Sequence, residues 1–246
     1  MLGMYFLANP KRFDRVYPYL LWPFVVLAVG GIGAGLIFGL GFSPAAERHG
    51  EMVRMLYIHP QSAILGLLCW GAMAVSSALA FVLRHPLADI ATQAMALPGM
   101  IFTFVGLATG YIWSVRGFGG LPFADPMIIL VQILLLLYLT YFALVHAFDN
   151  PLIGRRFAGF LALLGLLVVL LIHYTPDLFN TIHQDKGITS RAIQGSLYRP
   201  FILMIFGCIG LAGTMTLLRM RVLMAETKLR GAMLRASAPN PEGLKI

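Results

Sequence analysis

The side chains best suited to chemistry in this sequence are its six histidines, His49, His59, His85, His146, His173 and His183. Two of them stand out. His59 lies in Tyr57-Ile58-His59-Pro60, and His183 in Asn180-Thr181-Ile182-His183-Gln184. Imidazole is a good iron ligand, and axial histidine is an ordinary ligation for haem. Haem also needs an apolar flank for its porphyrin and cations for its two propionates. Apolar helix ends, with Arg54, Arg116 or Arg191, would supply these. The same pair would equally suit a metal ion, or do no more than contact headgroups and backbone at helix ends. Spacing alone does not choose among these roles. The two cysteines, Cys69 and Cys208, lie inside apolar blocks and form no Cys-x-x-Cys. That pattern removes thiol-redox centres, zinc knuckles and covalent haem attachment.

Whatever positions these residues is built almost wholly from apolar sequence. Of 246 residues, 59% are hydrophobic and 11% charged, with a mean hydropathy of +0.83. Soluble domains carry roughly 25% charged residues, so a soluble enzyme is excluded. Apolar blocks recur at about 19–41, 58–83, 89–113, 126–147, 157–175 and 200–219. Each approaches the roughly 20 residues that a membrane helix needs. They are too long, and too little alternating, for strands. The expected fold is therefore an all-α integral membrane protein, a six-transmembrane-helix bundle spanning 19–219. Residues 1–18 form an N-terminal segment whose Pro10–Asp14 stretch breaks the pattern of a cleavable signal. Residues 220–246 form a basic tail, and its Arg219–Arg235 part is suited to extend the last helix along the headgroups.

Lysine and arginine set the expected orientation. Twelve of the 18 basic residues, including Lys11, Arg12, Arg15, Arg84, Arg155 and Arg156, share the side of the termini. Arg48, Arg54, Arg116, Lys186, Arg191 and Arg199 lie on the other. Both termini are thus expected in the cytoplasm. The net charge of +8 reads as membrane topology and anionic headgroups, with no nucleic-acid partner. The outer segments are then about 42–57, 114–125 and 176–199, and they are longer than the inner loops. Functional groups gather on such loops, which brings His59, at the mouth of the second span, and His183 to one face. Pro60 suits the first turn of a helix, where its missing N–H costs nothing.

The chain resembles the cytochrome c maturation protein C family, also called haem exporter protein C. The resemblance runs from about Tyr17 to Leu223. It rests on Gly39-Leu40-Gly41-Phe42 with Pro44-Ala45, on Arg54 ahead of Tyr57-Ile58-His59, and on Met95-Ala96. Further pieces are Phe102-Thr103-Phe104, Thr109-Gly110, Trp113 and His146-Ala147-Phe148-Asp149. Ile172-His173-Tyr174, Asn180–Gln184 and Thr216–Arg221 complete the set. Order and spacing together make the match specific.

The resemblance implies a multi-pass protein of the bacterial inner membrane. Such a protein binds haem b non-covalently at the periplasmic face and passes it to a membrane-anchored haem chaperone during cytochrome c biogenesis. It implies ABC-type transporter subunits and a small membrane subunit as further partners, and ligand exchange in place of catalysis. The family's two haem ligands fall on His59 and His183. Its tryptophan-rich stretch falls on Phe118–Met127, where Gly119 and Asp125 match and Phe118 stands for a tryptophan. Leu121, Pro122, Ala124 and Met127 depart from the pattern, losing aromatic platforms and N–H donors. Phe118 and Phe123 remain to stack on a porphyrin edge, and Asp125 either contacts haem or opens the fourth span as a helix cap. Arg54 is expected to pair with a propionate or anchor to headgroups. The eroded stretch supports an alternative reading, a divergent relative serving as a structural or assembly subunit. A channel or solute carrier is disfavoured, because no clear acid or base falls at mid-span. No nucleotide-binding loop occurs either.

Overall fold

The computed structural model describes residues 10–45, 50–117, 123–183 and 195–236. They form six helices: α1 (Pro10–Gly41), α2 (His59–Leu83), α3 (Pro86–Gly117), α4 (Pro126–His146), α5 (Pro151–Leu178) and α6 (Gly195–Ala236). A 3-10 helix, Glu51–Tyr57, leads into α2. All six helices are long and apolar enough to cross a membrane.

Local sequence explains where the helices start. Proline opens α3, α4 and α5 and stands second in α2, positions where its fixed φ is already helical. Asp125 caps α4 by accepting from the Met127 and Ile128 N–H groups, and Asn150 caps α5 by accepting from Leu152. The helices overrun the apolar blocks. α1 begins at Pro10 rather than near 19, and α6 continues past its apolar block to Ala236, through the Arg219–Arg235 segment expected to be suited to extend it. Hydropathy marks only the stretch suited to hydrocarbon. The Leu-, Met-, Ala-, Arg- and Lys-rich sequence after 219 favours helix well beyond it.

Successive helices alternate in direction, giving the bundle two ends. At the end that gathers the first turns of α1, α3 and α5, Phe13 and Tyr17 pack with Leu87, Met220 and Met224. Lys228 of α6 pairs there with Asp14 of α1 at 3.4 Å. The other end, called the mouth below, gathers the first turns of α2, α4 and α6. Between them, Trp70 and Met73 of α2 pack with Tyr138 and Tyr141 of α4 and Ala158 and Ala162 of α5. Two polar atoms in this core have carbonyl partners, as an apolar surrounding favours. Trp70 Nε1 donates to the Ala162 carbonyl at 3.0 Å, and the Tyr138 hydroxyl donates to the Gly66 carbonyl at 2.8 Å.

α1 packs more extensively along α6 than along any other helix. Glycines make this seam close. A Cβ on Gly31 would stand 2.6 Å from the Gly207 Cα, and one on Gly210 2.4 Å from the Ala28 nitrogen. Small residues at such spacing let two backbones approach to gain dispersion contacts, which drive helix association in lipid.

Candidate functional site

His59 is the first residue of α2, with Ile58 as its cap. Its ring lies against α3, where two glycines one turn apart clear the space. A Cβ on Gly106 would meet the Ala63 nitrogen at 2.9 Å, and one on Gly110 would meet His59 Cε1 at 2.9 Å. His59 Nδ1 lies 3.0 Å from the Gly106 carbonyl and 3.3 Å from Thr109 Oγ1. The Thr109 proton goes to the Val105 carbonyl, 2.6 Å away. A carbonyl can only accept, so Nδ1 carries the ring proton and Nε2 keeps its lone pair. Trp113 meets the imidazole edge-on, with centroids 5.7 Å apart.

His183 arrives on the segment after α5, and Asp125 holds that segment. One Asp125 oxygen caps α4, accepting from Met127 N–H at 3.0 Å and Ile128 N–H at 3.3 Å. The other accepts from Ile182 N–H at 2.8 Å and from the Thr181 hydroxyl at 2.7 Å. His183 Nδ1 stands 3.3 Å from Thr181 Oγ1 and 3.6 Å from Asp125 Oδ1. Asp125 is buried. Burial opposes its charge, but hydrogen bonds from Ile182, Thr181 and Ile128 outweigh it, with help from the nearby imidazole. Its carboxyl is held below the ordinary value of 3.8. Burial pushes the His183 imidazole below 6.5, and the Asp125 carboxylate only partly offsets this. The ring is therefore neutral at pH 7, the form that binds a metal.

The two rings meet at the mouth from opposite halves of the chain, their centroids 6.5 Å apart and their planes inclined at 33°. Two imidazoles bonded to opposite faces of one iron, each at about 2 Å, place their centres about 6 Å apart. Both rings turn Nδ1 toward the protein, a backing that fixes the tautomer and orients a ligand. The spacing and the donor set fit axial ligation of a planar iron macrocycle.

The other sequence candidates take varied places. Arg54 is committed to local structure: its guanidinium donates to the Gly39 and Leu40 carbonyls that end α1, and its Nε pairs with Glu51. It thus satisfies orphan carbonyls at a negative helix end. Phe123 is exposed, and its ring lies 5.9 Å from Tyr111 on α3. Arg116 is exposed in the last turn of α3. Phe118 and Arg191 lie outside the described residues. His173 is exposed on α5 beside Tyr174, and His85 and His146 lie toward the opposite end of the bundle.

Sequence reasoning assigned no role to Gly106, Thr109, Gly110 or Thr181. A signal was present in part. Gly106 and Gly110 share one face of α3 at a four-residue interval, with Thr109 beside them, which is the spacing of a close helix approach. Nothing in Thr181 distinguished it from a loop residue, because its partner Asp125 is distant in the chain.

Comparison with known proteins gives one consistent result. The family model described as "Heme exporter protein C" matches residues 3–235. The heme exporter protein C of Escherichia coli (strain K12) is 34% identical over 215 residues, covering 87% of this chain and 88% of the relative. That of Haemophilus influenzae is 34% identical over 218 residues, covering 87% and 89%. That of Bradyrhizobium diazoefficiens is 33% identical over 239 residues, covering 94% and 89%.

Proposed function

The chain belongs to the haem exporter protein C family, and from that premise we propose that it holds haem at the periplasmic mouth between His59 and His183 and hands it to a haem chaperone. Its broader role is haem handling at the bacterial inner membrane during cytochrome c biogenesis. The observation that carries the finer reading is the approach of the two imidazoles to 6.5 Å, because a purely structural subunit has no need of two converging rings.

Haem is the cargo here. His59 and His183 supply the axial nitrogens. The Gly106 carbonyl and Thr109 fix one ring, and Asp125 with Thr181 fixes the other. Phe123, exposed beside Tyr111, flanks the porphyrin edge. Arg54 contributes through position: by binding the end of α1 to the 3-10 helix it sets the entry angle of α2, and so of His59. Release is ligand exchange. A chaperone side chain replaces one imidazole at the iron, and no bond of the cargo's carbon framework changes. His183, on a segment outside the helices, is the ligand to be displaced, while His59 is built into α2. The excess of lysine and arginine on the side of the termini supports a cytoplasmic placement for both, with transporter and small membrane subunits as partners in the bilayer.

The test is an absorption spectrum of the detergent-purified protein, oxidised and reduced. The native chain should show a low-spin, bis-imidazole haem. His59→Ala and His183→Ala should each lose it, with unchanged helix content by circular dichroism. Native-like haem retention in both variants would reject the ligand pair and favour the structural-subunit reading.

A further inference from the structure

We propose that the open cavity between the end of α2 and the starts of α3 and α5 binds the phosphate of an anionic phospholipid in the leaflet on the side of the chain termini. The cavity, about 710 Å³, is lined by Ala80, Phe81, Arg84, His85, Asp89 and Arg156. It lies at the end opposite the histidine mouth and belongs to none of the haem-handling residues.

Its charge is arranged for an anion. Asp89 is matched by Arg155, whose guanidinium stands 3.5 Å from its carboxylate. That pairing leaves Arg84 and Arg156, and neither makes an ion pair among the described residues. Two guanidiniums around an open volume bind phosphate through charge-assisted, bidentate hydrogen bonds.

The backbone at Arg84 points the same way. Arg84 ends α2 in the left-handed region, with φ 50° and ψ 36°, and it is the one non-glycine residue with positive φ among those described. Glycine is the residue that this helix-ending position favours. The turn would form more readily with glycine, so what arginine adds there is its side chain.

The walls favour lipid over an acidic protein segment. Phe81 closes one side of the cavity and packs on Gly159 of α5. Leu79, Phe81 and Val82 are exposed on the last turns of α2, an apolar surface that meets acyl chains in a bilayer. Cations at headgroup level with an apolar wall alongside match one molecule that carries both a phosphate and a hydrocarbon tail.

The experiment measures the thermal midpoint of the detergent-purified full chain against increasing phosphatidylglycerol, phosphatidylcholine or inorganic phosphate. Phosphatidylglycerol should raise the midpoint saturably, and the other two should not. Arg84→Gly, which suits the local backbone and so should fold, should raise the half-saturating lipid concentration about tenfold through loss of one charge-assisted contact. Arg84→Gln with Arg156→Gln should abolish the response. Arg230→Gln with Arg235→Gln, in the distal part of α6, should respond like the native chain. An equal response to phosphatidylcholine, or an undiminished response in Arg84→Gly, would overturn the site. Saturation by inorganic phosphate alone would make the ligand a free anion. A rise with poly-glutamate but none with phosphatidylglycerol would make it an acidic partner chain, and each of these outcomes refutes the lipid assignment.

Discussion

At the end that gathers the termini, α1, α3 and α6 meet through the side chains of Phe13, Tyr17, Leu87, Met220 and Met224. At the mouth, an apolar cluster that includes Leu56, Tyr57, Leu197 and Phe201 is joined by directional contacts that hold the histidine-bearing segments: Asp125 to Thr181 and Ile182, His59 to Gly106, Arg54 to Gly39 and Leu40. Apolar packing is non-directional and tolerates a change of shape that conserves volume. Hydrogen bonds are directional, and each of those at the mouth sets where a ring or a segment points. The contrast teaches that the two ends solve different problems. One end packs its helices together on apolar side chains, while the other must present two nitrogens to a common centre.

Among changes that leave both histidines in place, the largest effect should come from Asp125→Ala. It removes a helix cap and the anchor of the His183 segment together. A loss of about 2–3 kcal/mol is expected from one cap and two hydrogen bonds, read as a lower denaturation midpoint with at least tenfold weaker haem retention. Asp125→Asn sharpens the point, because asparagine caps a helix about as well as aspartate. It should keep most of the stability and still weaken haem retention. Equal retention in Asp125→Asn and the native chain would mean that the carboxylate does nothing for His183.

Next comes Gly110→Ala. The new methyl would stand 2.9 Å from His59 Cε1, so the ring must turn. Overpacking of this kind costs about 1–3 kcal/mol. The expected mark is a shifted or high-spin haem spectrum with the fold retained, and an unchanged spectrum would show that the ring has slack.

The pH dependence is smaller still near neutrality. Burial holds His183 below 6.5, so its neutral form persists as pH falls through that value. Haem retention should be flat from pH 8 to 6.5 and fall only at lower pH, as protonation of the imidazole displaces iron. A drop centred at or above 6.5 in a spectroscopic titration would contradict the burial of this ring. Asp125 acts in a lower window. Its depressed carboxyl contributes stability above the unfolded value of 3.8, and that contribution is lost as pH falls through the folded value.

The smallest effect is expected at the opposite end. Asp89→Asn breaks the ion pair with Arg155, both of whose side chains are partly exposed. A cost below about 1 kcal/mol is expected, with haem retention unchanged. A loss of haem in this variant would couple the two ends and break the comparison.

How much of this was legible in the sequence follows from the same contrast. The six helices were readable because apolar length is a local property. The overrun at Pro10–Tyr17 was not, since hydropathy ends where hydrocarbon does and helix propensity does not, whereas the Arg219–Arg235 segment already read as suited to extend the last helix. His59 and His183 were legible as a pair by residue type and by resemblance. What backs them was not, because Asp125 meets Thr181, and His59 meets Gly106, across long stretches of chain. Arg54 shows the limit most clearly. Its charge suggested a propionate or a headgroup, whereas it donates to two carbonyls of another helix, and a backbone acceptor leaves no trace in sequence.

The glycine seam between α1 and α6 has a consequence for the order of assembly. On leaving the ribosome, α1 finds its closest neighbour only when α6, five helices later, has been made. Until then α1 waits in the bilayer with the Gly31 face uncovered, and the terminal cluster that joins Phe13 and Tyr17 to Met220 and Met224 has no second half. Closure of the bundle therefore waits on the synthesis of α6, and a chain cut short before α6 would leave α1 without the partner it was shaped to meet.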